Sequence, residues 1–282
     1  MSKITFDGLV TKISWSNASI DVLCDDGQTF TGKKAIITVP ISVLQDEDIE
    51  FVPALPSDFT DALNEPVMAA GMKVFLRFND KFYPDTFIIE SDFDNIVLDQ
   101  SERFFYDETY GHNSTDNVMG MFVFGDVAER FVSLSDNEVI QAALTDINKV
   151  FGNNISTDAF IEGHVQNWFN EPFIRGAYTV YEDNCEAIDV LREPLTGVLF
   201  FAGEAIPIVE SNYANGYVHG AALSGRNAAL LTLDETQPTS GLTPTKSPTE
   251  QTSSASNPII CKVWCGALLA VAFIFFQHYF YT

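Results

Sequence analysis

The chain has 282 residues, enough for one large or two smaller domains. A hydrophobic fraction of 46%, with 24 Phe, can supply a substantial core. The net charge of -24, with only 15 Lys plus Arg, argues against nucleic-acid binding, which relies on basic surface.

From the N-terminus, Ile20 to Leu23 alternates apolar and polar residues before Asp26-Gly27, a hairpin turn signal, and Gln28 to Gly32 leads out of it. Ala35 to Val39 reads as a short buried strand stopped by Pro40. Met72 to Phe78 and Val118 to Phe124 read as strands. Ser135 and Glu138 form a capping box that opens a helix. That helix has Val139, Ile140, Ala143, Leu144, Ile147, Val150 and Phe151 on one face, and Gly152 ends it. Ala159 to Trp168 reads as a further strand. Strands and helices mix without a repeat, so the expected fold class is α/β, of the mixed α+β kind.

The segment from 198 to 231 is the richest in chemistry. An apolar strand, Val198 to Phe201, ends in Ala202-Gly203-Glu204, where backbone can approach a ligand with no side chain in the way. Gly216 then precedes a helix-like run whose near face is small: Gly220, Ala221, Ala222, Ser224, Gly225, Ala228 and Ala229. A strand, a Gly-containing turn and a helix start present free N–H groups to an anionic or electron-rich ligand. The same pattern also serves tight helix-on-sheet packing with no ligand.

Four cysteines are too few for a disulfide framework, and neither they nor the four histidines are spaced as a zinc site. The acidic balance fits a cationic substrate drawn by the field of the whole protein. It equally fits a scattered acidic surface that keeps the chain soluble.

Four stretches carry a resemblance. They are KKAIITVPISVLQDEDIEFVPALPSDF, AAGMKVFLRFNDKFYP, NWFNEPFIRGAYTVY, and FAGEA followed by NYANGYVHGAALSGRNAA. In this order they resemble the flavin-containing amine oxidases, the polyamine oxidase and monoamine oxidase family. The resemblance covers roughly residues 5 to 232. It implies the C-terminal part of a two-domain FAD-linked fold with a mixed-sheet substrate domain. The family's opening G-x-G-x-x-G turn has no counterpart here, so the chain is expected to lack the family's N-terminal portion. Residues 1–40 would form part of the FAD-binding domain, 41–165 the substrate-binding domain, and 166–233 a segment returning to the cofactor.

The resemblance also implies roles for particular residues. Lys73 matches the family lysine that holds a water against the flavin. Tyr178 and Tyr217 match the two aromatic positions flanking the substrate amine, and with Lys73 they form the expected catalytic set. Trp168 matches the aromatic residue beside the flavin ring. Gly203, Glu204, Gly216 and Val218 match the segment that approaches the cofactor, and Val10 matches one that touches its adenine. Ala177 stands where monoamine oxidases carry the cysteine that bonds FAD, so the cofactor is expected to be noncovalent. The implied activity is FAD-dependent oxidation of a polyamine-like amine by hydride transfer. Hydrolysis of the resulting iminium would give an aldehyde plus amine or ammonia, and reoxidation by O₂ would give hydrogen peroxide. The alternatives are an inactive membrane-tethered remnant that binds a partner, or a related L-amino-acid oxidase, for which Arg77, Arg175 and Arg192 are candidate carboxylate ligands. A histone demethylase sits poorly with the apolar tail and the lack of basic surface.

The end of the chain has its own character. Residues 234–258 are rich in Ser, Thr and Pro and read as a disordered linker. Residues 259–282 are strongly apolar, with Lys262 the one charge between Ile259 and Phe276, and read as a transmembrane or anchor segment. A lipid-attachment signal is the lesser alternative. The sequons at Asn17, Asn113 and Asn154 favour a lumenal or extracellular body on a single-pass C-terminal anchor.

Overall fold

The computed structural model describes residues 4–89, 103–181, 186–208 and 216–233. In chain order, the first elements are β1 (Val10–Trp15), β2 (Ile20–Cys24), β3 (Thr29–Gly32), β4 (Ala35–Ile37), α1 (Ile41–Gln45), β5 (Glu50–Val52), α2 (Ser57–Leu63) and β6 (Val67–Ala69). The middle holds β7 (Gly71–Phe78), β8 (Thr86–Ile89), β9 (Arg103–Asp107), β10 (Asn117–Phe124), α3 (Asp126–Val132), α4 (Asp136–Phe151), α5 (Ile155–Ala159), β11 (Phe160–Asn167) and a single 3₁₀ turn at Trp168–Asn170. The chain continues through β12 (Tyr178–Val180), α6 (Glu186–Arg192), β13 (Leu199–Phe201) and α7 (Val218–Leu233). Two compact units result. One contains residues up to Val67 and from Thr179 onward, and the other runs from Met68 to Tyr178.

In the middle unit a five-stranded sheet has the order β11-β7-β10-β9-β8, antiparallel throughout its assigned pairings. Strict alternation sends Met72, Val74, Leu76 and Phe78 of β7 to one face, where they join Met119, Met121 and Val123 of β10 and Phe105 of β9 in the core. Helix α4 covers that face with Val139, Ile140, Ala143, Leu144 and Ile147, all buried. Its start is the capping box expected from the sequence: Ser135 Oγ accepts from the Glu138 N–H, and Glu138 accepts from the Ser135 N–H at 2.8 Å. Val150, expected on the buried face, is 51% exposed, and Phe151 is only half-buried. Phe151 still packs against the core through Phe82 and Phe87, so only Val150 leaves the stripe.

In the other unit, β3-β2-β1-β5 form one sheet, and β4 and β13 pair in parallel, with Phe201 opposite Ile37. Trp15 Nε1 donates to the Pro53 carbonyl at 2.8 Å, which ties β1 to the end of β5. Phe59 of α2 packs on Phe201 with ring centroids 4.5 Å apart. Helix α7 lies on β13, its Ala228 buried against Phe200 and Ala202.

The mixed α/β reading holds, but the expected transmembrane helix needs correction. Among the described residues, no helix is long and apolar enough to cross a membrane. The longest, α4 and α7, have 16 residues each, or about 24 Å of rise, against a hydrocarbon core of about 30 Å. Helix α4 is also amphipathic, which suits one buried face and one wet face. The membrane helix, the membrane as a partner and the anchored lumenal or extracellular localisation are accordingly withdrawn. The apolar segment 259–282 and the linker 234–258 lie outside the described residues.

Candidate active site

The second face of the five-stranded sheet carries the chemistry of the middle unit. Here Lys73 and Arg77 of β7, Phe104 and Tyr106 of β9 and Phe122 and Phe124 of β10 are half-buried, while Phe75 and Gly120 are buried. Lys73 lies opposite Phe122 in the β7–β10 ladder. Its ammonium stands 5.7 Å from the Phe122 ring centre and 5.7 Å from that of Tyr106, within the range of cation–π attraction. From Phe122 the aromatic surface continues to Phe124 at 5.3 Å and on to Tyr178 at 6.3 Å. Phe104 stacks on Phe124 at 5.8 Å. The structure thus connects Lys73 and Tyr178, two of the expected catalytic residues, through one continuous aromatic wall.

Electrostatics single out the same place. Burial lowers the Lys73 pKa, and the Glu108 carboxylate works against that lowering. Burial raises Glu108, opposed by Tyr106, Lys73 and His112. The Tyr106 hydroxyl is driven well above its ordinary value, first by burial and then by the Glu108 charge. Perturbed groups gathered on one face are a mark of functional sites. Sequence reasoning missed Tyr106 and Glu108 because it did not read β9 as a strand. The alternation of Phe104, Tyr106 and Glu108 was the available signal.

At the end of β11, Trp168 is half-buried and opens the 3₁₀ turn. Its carbonyl accepts from the Gly176 N–H at 3.1 Å, which folds the segment leading to Tyr178 back on itself. Ala177 lies against Gly71, where an added Cβ would come within 2.4 Å of the Ala177 Cβ.

The other unit brings together Gly203, Glu204, Gly216, Tyr217 and Val218. Strand β13 ends at Phe201, and Gly203 turns the chain with φ +147. An added Cβ at Gly203 would meet nothing within 4 Å, and the same is true of Gly225 on α7. The Gly203 N–H donates to Ser224 Oγ at 3.2 Å, and Ser224 Oγ donates to the Ile206 carbonyl at 2.6 Å. Both bonds hold the turn to the helix. Glu204 accepts from the Thr179 hydroxyl, from the Thr179 N–H at 3.1 Å and from the Gly216 N–H. It therefore clamps β12 to the start of α7. Burial raises its pKa, and these three donors pull the other way. Tyr217 precedes α7 with its ring 5.3 Å from His219, and its carbonyl accepts from the Ala221 N–H at 3.0 Å. Val218 is the first helical residue, 47% exposed, where N–H groups have no intrahelical partner. Val10 is placed in the four-stranded sheet, opposite Cys24 at the start of β1.

The turn after β13 leaves room for a cofactor to approach the backbone. The corner between β13 and α7 has no side chain at Gly203 to fill it. It lies at the carboxyl end of a parallel strand pair, where open α/β sheets take such ligands. A surface hollow of about 290 Å³ elsewhere in the middle unit, bounded by Asn79, Phe82, Asn153 and Asp158, involves none of the expected site residues.

The family described as flavin containing amine oxidoreductase matches residues 2–231. The chain belongs to this family. Among relatives of the chain, polyamine oxidase 5 of Oryza sativa subsp. japonica is 30% identical over 78% of the chain and 42% of its own length. Polyamine oxidase 1 of Zea mays is 27% identical over 82% of the chain and 45% of its own length. Lysine-specific histone demethylase 1B of Mus musculus is 26% identical, over 77% and 26%. The chain thus spans less than half the length of these curated relatives. Two solved structures share its fold. Cyclohexylamine oxidase from Brevibacterium oxydans IH-35A matches with a TM-score of 0.64 at 20% identity, over 79% of the chain and 47% of that protein. Wild-type putrescine oxidase bound to putrescine matches with the same TM-score, identity and coverage.

Proposed function

We propose that this chain serves the FAD-dependent oxidation of a polyamine-like amine, with the cofactor held noncovalently. The observation that carries the reading is Lys73, half-buried between two rings on an aromatic face, in a chain of this family. When bound, FAD would supply the redox chemistry, accepting hydride from the amine and passing the electrons to O₂ as hydrogen peroxide, while water hydrolyses the resulting iminium to an aldehyde and a released amine or ammonia.

The chain's own residues supply binding and proton handling. Gly203, Glu204, Gly216 and Val218 would hold the cofactor at the β13–α7 corner, and Trp168 and Val10 are further candidates for binding it. Tyr178 and Tyr217 would serve the amine. Rings attract a cation or a lone-pair-bearing nitrogen and exclude water. Lys73 holds a water and passes its proton. Residues 1–40 and 166–233 serve the cofactor, and 41–165 serve the substrate. Carboxylates already hold two of the candidate arginines, Arg77 by Glu162 at 2.8 Å and Arg192 by Asp189 at 2.9 Å. That favours an amine over an amino acid as substrate.

The test is absorption spectroscopy of the purified chain with added FAD. Protein-bound flavin that bleaches with spermine or spermidine under argon is the expected result. Protein that stays colourless through gel filtration after FAD is added, or bound flavin that no amine bleaches, would remove this function.

A further inference from the structure

Tyr106 and Glu108 leave β9 on the same face as Lys73, with β10 lying between β9 and β7. Position 120 of β10 lies opposite Tyr106 on one side and Phe75 on the other. It is a glycine. A Cβ there would fall 2.8 Å from Tyr106 Cζ and 2.9 Å from Glu108 Oε1. Both side chains therefore lie across the backbone of β10 at Gly120, and the Tyr106 ring extends far enough to stand 5.7 Å from the Lys73 ammonium. No other residue type at 120 leaves room for this. The Tyr106 hydroxyl and Glu108 Oε1 are buried; neither meets a strict hydrogen-bond geometry, but Tyr106 is the strongest influence favouring the ionised carboxylate. A carboxylate oxygen so placed needs a compensating charge. The charges that bear on Glu108 are Lys73 and His112, which favour its ionised form, and Asp107, which opposes it.

We infer that Tyr106, Glu108 and Gly120 form a positioning set for Lys73, in which the carboxylate keeps the lysine charged, the ring fixes its place, and the glycine opens the path between strands. Glu108 touches neither substrate nor cofactor in this scheme and acts through Lys73. The inference rests on the reading of Lys73 as a functional group, but its test needs neither flavin nor turnover.

The test is NMR of the full chain with its lysines reductively methylated in ¹³C, with Lys73 assigned from the Lys73→Arg variant. In the wild type, the Lys73 resonance should show two steps, one as Glu108 takes up its proton in acid and one as the lysine loses its own. In Glu108→Gln the acid step should vanish, and the lysine should deprotonate at lower pH. Glu108→Asp should restore part of the wild-type behaviour, and Gly120→Ala should resemble Glu108→Gln because both side chains are displaced. A Lys73 titration that is the same in Glu108→Gln, with circular dichroism confirming the fold, would overturn the inference. Should that variant not fold, a wild-type Lys73 resonance with no acid step would overturn it equally. If the titration shifts as expected but FAD-loaded Lys73→Met remains fully active, the catalytic role of Lys73 falls and the electrostatic link stands.

Discussion

Burial pushes the Glu204 carboxyl above the ordinary glutamate range while Thr179 and Gly216 donate to it. The folded chain therefore keeps this proton at pH values where the unfolded chain has released it. Stability from this group is greatest below the unfolded value of about 4.3 and falls as pH rises through the higher folded value. Glu204→Gln should flatten that slope, which urea unfolding across the acid range would reveal. At neutral pH the same change sets an amide N–H₂ against one of the donors, and it should cost about 1–3 kcal/mol. An unchanged unfolding midpoint would mean that the clamp between β12 and α7 is not needed. For Lys73, removal of the ammonium in Lys73→Met should lower kcat by about 10²-fold or more, the usual scale for a lost proton-transfer group. Stopped-flow turnover of the FAD-loaded protein measures this, and wild-type turnover in that variant would count against the lysine's role.

The elements divide by how far their residues interact along the chain. Helix α4 was legible because its cap, its apolar stripe and its terminal glycine all lie within its own stretch of sequence. Ser135→Ala should cost about 1 kcal/mol, visible as a lower unfolding midpoint. Leu144, 2% exposed in the core beneath the sheet, should cost about 2–5 kcal/mol when cut to Ala. The two losses should add, since they touch separate parts of the helix. Strands β7 and β10 were readable from their alternation, but β9 was not. Phe104, Phe105 and Tyr106 present a continuous aromatic run, and only the sheet divides them, with Phe105 in the core and its neighbours on the site face. Gly71 poses the same kind of problem. Nothing local demands a glycine there, yet a Cβ would strike Ala177, more than a hundred residues away. Gly71→Ala should therefore destabilise by about 1–3 kcal/mol, and Gly71→Ala expressed with normal stability would show that the two segments can part freely.

At the scale of the whole molecule, charge is the dominant property. The net charge is -24, and the described basic residues Lys12, Arg77, Lys81, Arg103, Lys149 and Arg192 each stand against a carboxylate. With 39 Asp plus Glu against 15 Lys plus Arg, the net field is acidic, and it attracts polycations until salt screens it beyond a Debye length of about 10 Å at 0.1 M. For a polycationic amine, kcat/KM should fall as NaCl rises, more steeply than for a monoamine. Equal salt dependence for both would leave the acidic surface only its solvating role. Composition, the α4 cap, the β7 and β10 alternation and the order of the four family stretches were all decided by the sequence alone, because each depends on residue type or short spacing. The convergence of Lys73 with Tyr106, Glu108 and the phenylalanines, the clamp at Glu204 and the exposure of Val150 on α4 were decided by tertiary structure. Those features depend on which strands become neighbours, and strand order follows from burying one face of the sheet, a property that no single segment contains.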